Sequence, residues 1–259
     1  MTPVIITGCA GKMGKALIER AKFQNIFLIG ATEKKDSPLI GQNIGDVIVS
    51  SSLETLLTKK AVVIDFTDPK ASLAHVYSCT EKKIPVVIGT TGFTETAKKE
   101  IEKAAKNIPI VFSPNMSVGV NLLFKLLSEA ASTLSDYDIE IIEAHHRLKK
   151  DAPSGTAIGL AKVIAQATKR NYPKDFNFHR QGLTGERASK EIGMQVIRGG
   201  DIVGEHTVMF CGTGERVEFK HVATNRHTFA DGALKASQWV ANQKPGLYSM
   251  QNVLGFNPS

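Results

Sequence analysis

Cysteine is scarce in this chain. Cys9, Cys79 and Cys211 lie far apart in 259 residues, and an odd, scattered set argues against a disulfide framework. No Cys-x-x-Cys or His-Glu-x-x-His spacing occurs, so no metal site is expected. Aromatic residues make up 7% of the chain and no long Lys/Arg block appears, which argues against a nucleic-acid partner. No apolar run reaches the roughly 18 residues that suggest a membrane span. The opening residues, Met1-Thr2-Pro3-Val4-Ile5-Ile6-Thr7-Gly8, lack the basic flank and long apolar segment of a signal peptide. They read as a first strand, and a cytoplasmic location is expected.

What remains is an ordinary globular composition, 42% hydrophobic and 22% charged. The length allows one large core or two modest domains. A formal charge of +7 favours anionic partners, and small phosphates or carboxylates account for it as well as nucleic acid does.

The first half alternates strand and helix. Val4-Ile5-Ile6, Ile26 to Ala31, Ala61 to Phe66, Pro85 to Ile88 and Ile108 to Phe112 are β-rich apolar runs. Such continuous runs suit a parallel sheet covered on both faces. Between them Lys12 to Phe23, Pro69 to Lys83 and Glu95 to Lys106 have helical spacing. The fold class expected is α/β, an N-terminal Rossmann-like doubly wound sheet. The pattern changes near Ser113-Pro114-Asn115. Val118 to Leu134 and Ser154 to Thr168 read as helices. Ile139 to Glu143, Met194 to Arg198, His206 to Phe210 and Arg216 to Lys220 read as strands, with turns at Gly199-Gly200-Asp201 and Gly212-Thr213-Gly214. That is a second, α+β domain on a mixed or antiparallel sheet. Arg226 to Asn242 is helical again and returns to the first domain. The domains expected are 1–116 with 226–259, and 117–225. Asn171 to Ala188 is polar and aperiodic and reads as a mobile loop.

Gly8-Cys9-Ala10-Gly11-Lys12-Met13-Gly14 joins the first strand to the first helix. Glycines here allow a tight turn and let backbone approach a pyrophosphate, which the helix N-terminus attracts. The spacing is Gly-x-x-Gly-x-x-Gly, and mere turn chemistry is the competing reading. About twenty residues on, Glu33 stands where an acid accepts from the adenosine ribose. Lys34 and Lys35 follow and offer cations to a 2′-phosphate, so NADH and NADPH both remain open; a solvated turn is the bland alternative. Phe66-Thr67, Gly89-Thr90-Thr91-Gly92-Phe93 and Ser113-Pro114-Asn115-Met116 leave further strands at the same end, where ligands of open sheets sit.

The densest chemistry lies in Glu140-Ile141-Ile142-Glu143-Ala144-His145-His146-Arg147-Leu148-Lys149-Lys150-Asp151-Ala152-Pro153-Ser154-Gly155-Thr156-Ala157. A lone histidine is more often structural. Two imidazoles with a lysine four residues on form a candidate proton-transfer centre, since imidazole titrates near neutrality and an ammonium among cations becomes more acidic. Arg147 and Lys150 add charge for carboxylates or are plain surface cations. Asp151 or Ser154 can cap the next helix, whose Gly155 and Thr156 N–H groups suit an anion; a simple N-cap is the alternative.

This long block resembles the signature of the 4-hydroxy-tetrahydrodipicolinate (dihydrodipicolinate) reductases of lysine and diaminopimelate biosynthesis. The resemblance extends over nearly the whole chain. It includes Gly8 to Gly14, Asp65-Phe66-Thr67, Asn115-x-Ser117-Val118-Gly119-Val120-Asn121, Gly185-Glu186-Arg187, Arg198 to His206 and Thr228-Phe229-Ala230, in order. It implies a homotetramer that reduces a small cyclic dicarboxylate with NADH or NADPH. By position, it implies that His145 is the acid/base residue and Lys149 the proton donor. His146 would contact substrate and Gly155 and Thr156 would grip a carboxylate. The cofactor would meet Gly8, Cys9, Ala10, Gly11, Lys12, Met13, Glu33, Lys34, Gly89, Thr90, Thr91, Ser113, Pro114, Asn115 and Met116. Lys34 stands where many members carry Arg, and Ser113-Pro114 departs from a small apolar pair. The alternatives are another two-domain dehydrogenase, which would not need His-His-x-x-Lys before Pro-Ser-Gly-Thr, and a nucleotide-sensing regulator.

Overall fold

A computed structural model describes residues 2–256. The chain divides into two compact units. One joins the residues up to 118 with those from 226 onward, and the other is Gly119–Asn225.

The first unit begins with β1 (Val4–Thr7), α1 (Lys12–Phe23), β2 (Leu28–Thr32), β3 (Asn43–Ile44) and β4 (Val47–Ser50). It continues through β5 (Val62–Asp65), α2 (Pro69–Lys82), β6 (Val86–Ile88), α3 (Glu95–Ala105) and β7 (Pro109–Phe112). The second unit holds α4 (Val118–Thr133), β8 (Asp138–His145), α5 (Gly155–Ala167), β9 (Phe176–Asn177), β10 (Ile192–Arg198), β11 (Gly204–Cys211) and β12 (Arg216–Ala223). The chain then returns to the first unit as α6 (His227–Val240), β13 (Gly246–Tyr248) and α7 (Met250–Val253).

The eight-stranded sheet of the first unit runs β13-β7-β6-β5-β1-β2-β4-β3 and is parallel except for the β3–β4 pair. Its central strands are buried on both faces: β1, β5 and β6 have every residue buried, as their unbroken Val/Ile runs require. Leu17 of α1 with Ala233 and Leu234 of α6 cover one face, and Val76 of α2 with Ile101 of α3 cover the other. The strand order reverses beside β1. The turns after β1 and β5 therefore flank the crevice where open α/β sheets take ligands.

The second sheet runs β12-β11-β8-β10-β9, with β8, β10 and β9 parallel and β11 antiparallel to both β8 and β12. Leu127 of α4 and Leu160 of α5 pack with Ile139, Ile141, Met194, Val208 and Phe210 on one face.

Several expectations shift by a few residues. The second strand starts at Leu28, because the chain first passes Asn25 at φ +53 and ties Ile26 N–H to the Ala21 carbonyl. β8 extends to His145 itself, since β10 pairs with it to that residue and β11 to Ala144. The segment Asn171–Ala188 is not simply a loop. It contains β9, and Arg180 beyond it holds Glu140 with two bonds of 2.8–2.9 Å. Arg187 donates to Asp138 at 2.7 Å and to the Glu191 carbonyl at 2.6 Å. Long-range arginine contacts fasten a stretch whose sequence has no period.

Candidate active site

At the end of β1 the backbone turns through Gly8, whose φ of +64 L side chains rarely adopt. Gly11 N–H closes the turn on the Gly8 carbonyl at 3.0 Å. α1 starts at once, with Gly11 as an N-cap that offers no side-chain bond. Its first amides therefore lack the partner a Ser or Asp would give. Gly14 is buried, and a Cβ there would lie 2.3 Å from the Gly8 carbonyl oxygen, so the loop can fold this tightly only with glycine. Glu33, just past β2, accepts from Ala10 N–H at 2.8 Å and from Lys34 N–H at 3.0 Å. Gly8, Ala10, Gly11, Glu33, Lys34 and Lys35 line one open cavity of about 610 Å³, together with Phe66, Thr67 and His75. Backbone amides, an acid and two lysines in one crevice fit the pyrophosphate and ribose of a dinucleotide.

A buried carboxylate underlies this cavity. Asp65, 1% exposed at the end of β5, binds His75 Nδ1 at 2.5 Å through Oδ2. Its Oδ1 accepts from Ser72 Oγ at 2.7 Å, Thr67 Oγ1 at 2.8 Å, Thr67 N at 3.0 Å and Thr90 Oγ1 at 3.0 Å. Burial alone would raise its pKa; the bond and charge of His75 and the other donors outweigh that and bring it to about 2.

The remaining sequence-named cofactor residues are placed unevenly. Lys12, Thr91 and Pro114 are exposed and Met13 half-buried. Cys9 and Met116 have their side chains in the core. The Thr90 hydroxyl is engaged by Asp65. The space beside Gly89 is filled by the Phe66 ring, which a Cβ would meet at 2.1 Å. Ser113 Oγ donates to the Asn115 carbonyl at 2.9 Å, and Asn115 Oδ1 accepts from Ser117 N–H at 2.8 Å. Cys9, Gly89, Thr90 and Met116 can thus offer a ligand mainly their backbone.

In the second unit, β8 turns polar at its end. Ile139, Ile141, Glu143 and His145 alternate onto the helix-covered face, so the last two core positions are an acid and an imidazole. Glu143 is fully buried and four donors converge on it. His145 Nδ1 and Arg198 Nη1 reach Oε2 at 2.6 and 2.9 Å; Arg198 Nη2 and Ser154 N–H reach Oε1 at 2.8 and 2.9 Å. Burial again opposes the charge, but His145, Arg198 and Ser154 hold its pKa down to about 2. His206, opposite Glu143 on β11, meets the His145 ring edge-on at 5.3 Å, and its Nε2 lies 3.2 Å from Ser154 Oγ. Its pKa falls to about 4, first through burial and then through the nearby His145. Among the described residues, the buried Nδ1 atoms of His146 and His206 have no hydrogen-bond partner.

The loop after β8 is pinned by Arg147 N–H on the Gly200 carbonyl at 3.1 Å and Gly199 N–H on the His145 carbonyl at 3.0 Å. Lys149, with 21% of its side chain exposed, donates to Asp151 Oδ1 at 2.9 Å. The sequence suggested that cations surround this ammonium; its bonded partner is an acid. Burial pushes Asp151 up, but Lys149 and Arg198 keep its carboxyl below the usual range. Ser154, not Asp151, caps α5, accepting from Ala157 N–H at 3.2 Å. Gly155 is exposed, with open space where a side chain would lie, and Thr156 is half-buried beside it. His145, Lys149 and the start of α5 are thus connected through Glu143 and Arg198. The sequence reading assigned no role to Glu143, Arg198, His206, Asp65 or His75. A Glu two residues before a histidine on a strand was the one available signal, since both side chains then share a face.

Comparison with known proteins divides the chain at nearly the same point after β7, but counts the returning segment α6 to α7 with the second half. Residues 2–116 match the family model described as "Dihydrodipicolinate reductase, N-terminus", and residues 119–254 match "Dihydrodipicolinate reductase, C-terminus". The chain is 48% identical over 265 residues to the 4-hydroxy-tetrahydrodipicolinate reductase of Syntrophotalea carbinolica, covering 98% of this chain and 99% of that one. It is 49% identical over 266 residues to the enzyme of the same name from Syntrophus aciditrophicus, covering 99% of each. Among solved structures, a dipicolinate-bound dihydrodipicolinate reductase from Paenisporosarcina sp. TG-14 matches with a TM-score of 0.80 at 29% identity, covering 97% of this chain and 99% of that one.

Proposed function

The chain belongs to the dihydrodipicolinate reductase family, and from that premise we propose that it reduces 4-hydroxy-tetrahydrodipicolinate to tetrahydrodipicolinate, a step of lysine and diaminopimelate biosynthesis. The observation that carries this reading is the corner at the end of β8. There a carboxylate-held imidazole, an ammonium and a helix N-terminus are tied together in a chain matched in both halves by one family.

The net change replaces a ring hydroxyl by hydrogen. One hydride enters, one proton is taken up and water leaves. The bound nicotinamide cofactor supplies the hydride. Lys149 supplies the proton, and its pairing with Asp151 keeps the ammonium in place until substrate arrives. His145 is the acid/base residue of the same corner. A carboxylate Nδ1 partner puts the ring proton on Nδ1 and leaves Nε2 to exchange protons. Gly155 and Thr156 at the start of α5, with His146, take a substrate carboxylate, as the positive end of a helix favours. A dicarboxylate substrate suits this cationic surround, and the Paenisporosarcina relative is described with dipicolinate bound.

The Gly8–Gly14 turn, with Gly89 to Thr91 and Ser113 to Met116, holds the nicotinamide dinucleotide. NADH and NADPH both serve. Glu33 accepts from an unphosphorylated ribose, whereas Lys34 and Lys35 meet a 2′-phosphate in the same cavity. The protein assembles with itself as a homotetramer through the sheet face opposite α4 and α5, where Ile197 and Val222 are exposed at the surface. No helix among the described residues is long and apolar enough to cross a membrane. We infer a cytoplasmic reaction from the biosynthetic family to which the chain belongs.

The test is direct. Purified protein should oxidise NADPH or NADH only when the product of condensing pyruvate with aspartate semialdehyde is present. Folded, cofactor-binding protein without substrate-dependent turnover would support a nucleotide-sensing role instead.

A further inference from the structure

The core face of β8 ends in two polar residues where aliphatic ones would pack. A buried carboxylate is costly to desolvate, and a strand core retains one only when its partners compensate. At Glu143 the compensation is complete, with two donors on each oxygen. Those donors come from three places: His145 on the same strand, Arg198 at the end of the neighbouring β10, and the backbone just before α5. Arg198 reaches further and donates to the Asp151 carbonyl at 2.7 Å, in the residue whose side chain holds Lys149. One ionised group therefore fixes the imidazole, the helix N-terminus and, through Arg198, the loop that carries the ammonium.

We propose that Glu143, clamped by Arg198, is the positioning residue of the proton-transfer corner and holds His145 in its Nδ1–H form, with Nε2 presented over Gly204. A carboxylate can only accept, so the 2.6 Å contact assigns the proton to Nδ1. A Cβ at Gly204 would lie 3.1 Å from Nε2, so the bare backbone of β11 leaves that edge of the ring clear. Arg198 already balances the buried charge bidentately. The imidazole can then gain and lose its Nε2 proton without leaving the carboxylate uncompensated. The effect on turnover rests on the reductase reading; the assignment of the ring proton does not.

The test joins kinetics to a spectroscopic signature. Ring-labelled protein at alkaline pH, where imidazoles are neutral, should show His145 as Nδ1–H in nitrogen–proton correlation spectra. In Glu143→Gln the amide offers one acceptor oxygen to four donors. The His145 signal should shift toward Nε2–H, kcat should fall about 10²-fold, and the Kd for cofactor alone should stay within about twofold. Retention of the Nδ1–H signal in that variant, or a kcat within about threefold of wild type in folded protein, overturns the proposal. If Glu143→Gln does not fold, Arg198→Lys decides, because lysine keeps the charge but loses the bidentate clamp. It should lower kcat about tenfold with cofactor affinity unchanged, and undiminished turnover overturns the proposal. If wild-type protein shows no substrate-dependent turnover, the reductase reading fails, and the His145 signal in wild type and variant alone decides the positioning claim.

Discussion

Asp65 in the first unit and Glu143 in the second are the same device in different surroundings. Each is a buried carboxylate at or near the end of a strand, each has a pKa of about 2, and each takes the Nδ1 of a histidine, at 2.5 and 2.6 Å. The difference lies in the other partners. Asp65 is completed by hydroxyls and one amide, so His75 is its single basic side-chain partner among the described residues. Glu143 has Arg198 as well. Loss of the imidazole at Asp65 leaves one oxygen of a buried carboxylate without its side-chain donor, whereas at Glu143 the arginine still holds both oxygens. The first arrangement suits a fixed wall of a binding cavity, and the second suits a ring that must exchange protons.

The largest expected effect separates the two units by what each measures. Lys149→Ala should cut kcat by about 10³-fold and leave the Kd for cofactor nearly unchanged. Equal damage to both quantities would remove Lys149 from the chemistry. Next, His75→Ala should cost about 2–3 kcal/mol in urea unfolding, more than His145→Ala, because it leaves one Asp65 oxygen without its side-chain donor. Equal costs for the two variants would erase the distinction drawn between the carboxylates. Glu33→Ala should raise the Kd for NADH roughly tenfold, about 1.4 kcal/mol, while affecting NADPH less. Fluorescence titration with each cofactor reads this, and a uniform loss would assign Glu33 to the loop alone.

A further prediction concerns pH, and its two parts have the same sign: both remove stability on acidification. Asp65 and Glu143 have folded pKa values below their ordinary 3.8 and 4.5. Their stabilisation is present above those ordinary values and is lost as pH falls toward about 2, roughly 2–3 kcal/mol each. His206 acts earlier. Its folded pKa of about 4 lies below the ordinary 6.5, so the unfolded chain takes up a proton the native state refuses. Stability therefore declines between pH 6.5 and about 4, by roughly 3 kcal/mol, and His206→Asn should flatten that part of an unfolding profile. An unaltered slope in the variant would show that another group titrates there.

Much of this architecture was legible in the chain. Unbroken Val/Ile runs at β1, β5 and β6 declare a sheet buried on both faces, and Gly8-x-x-Gly11-x-x-Gly14 declares the tight turn between strand and helix. The strands β3, β4, β9 and β13 were not, because they lie at or beside the sheet edges and form only where a neighbour offers an edge to pair with. The candidate sites divide in the same way. His145, His146 and Lys149 announce themselves by crowding, and Ser154-Gly155-Thr156 by its helix-opening chemistry. Arg198 lies 55 residues from Glu143 and meets it only because β10 pairs beside β8. His75 reads as one more polar position on α2, until the sheet brings Asp65 against it. Charges that function by compensating each other in the interior leave no local pattern when their elements are far apart in sequence.

Isotope transfer tests the central claim most directly. The protein is supplied with NADH or NADPH carrying deuterium on the transferable C4 position, together with freshly formed 4-hydroxy-tetrahydrodipicolinate, and the product is weighed by mass spectrometry. The account predicts one deuterium on the tetrahydrodipicolinate ring for each nicotinamide oxidised. Product without label, or cofactor oxidised with the hydroxylated ring left intact, would contradict it.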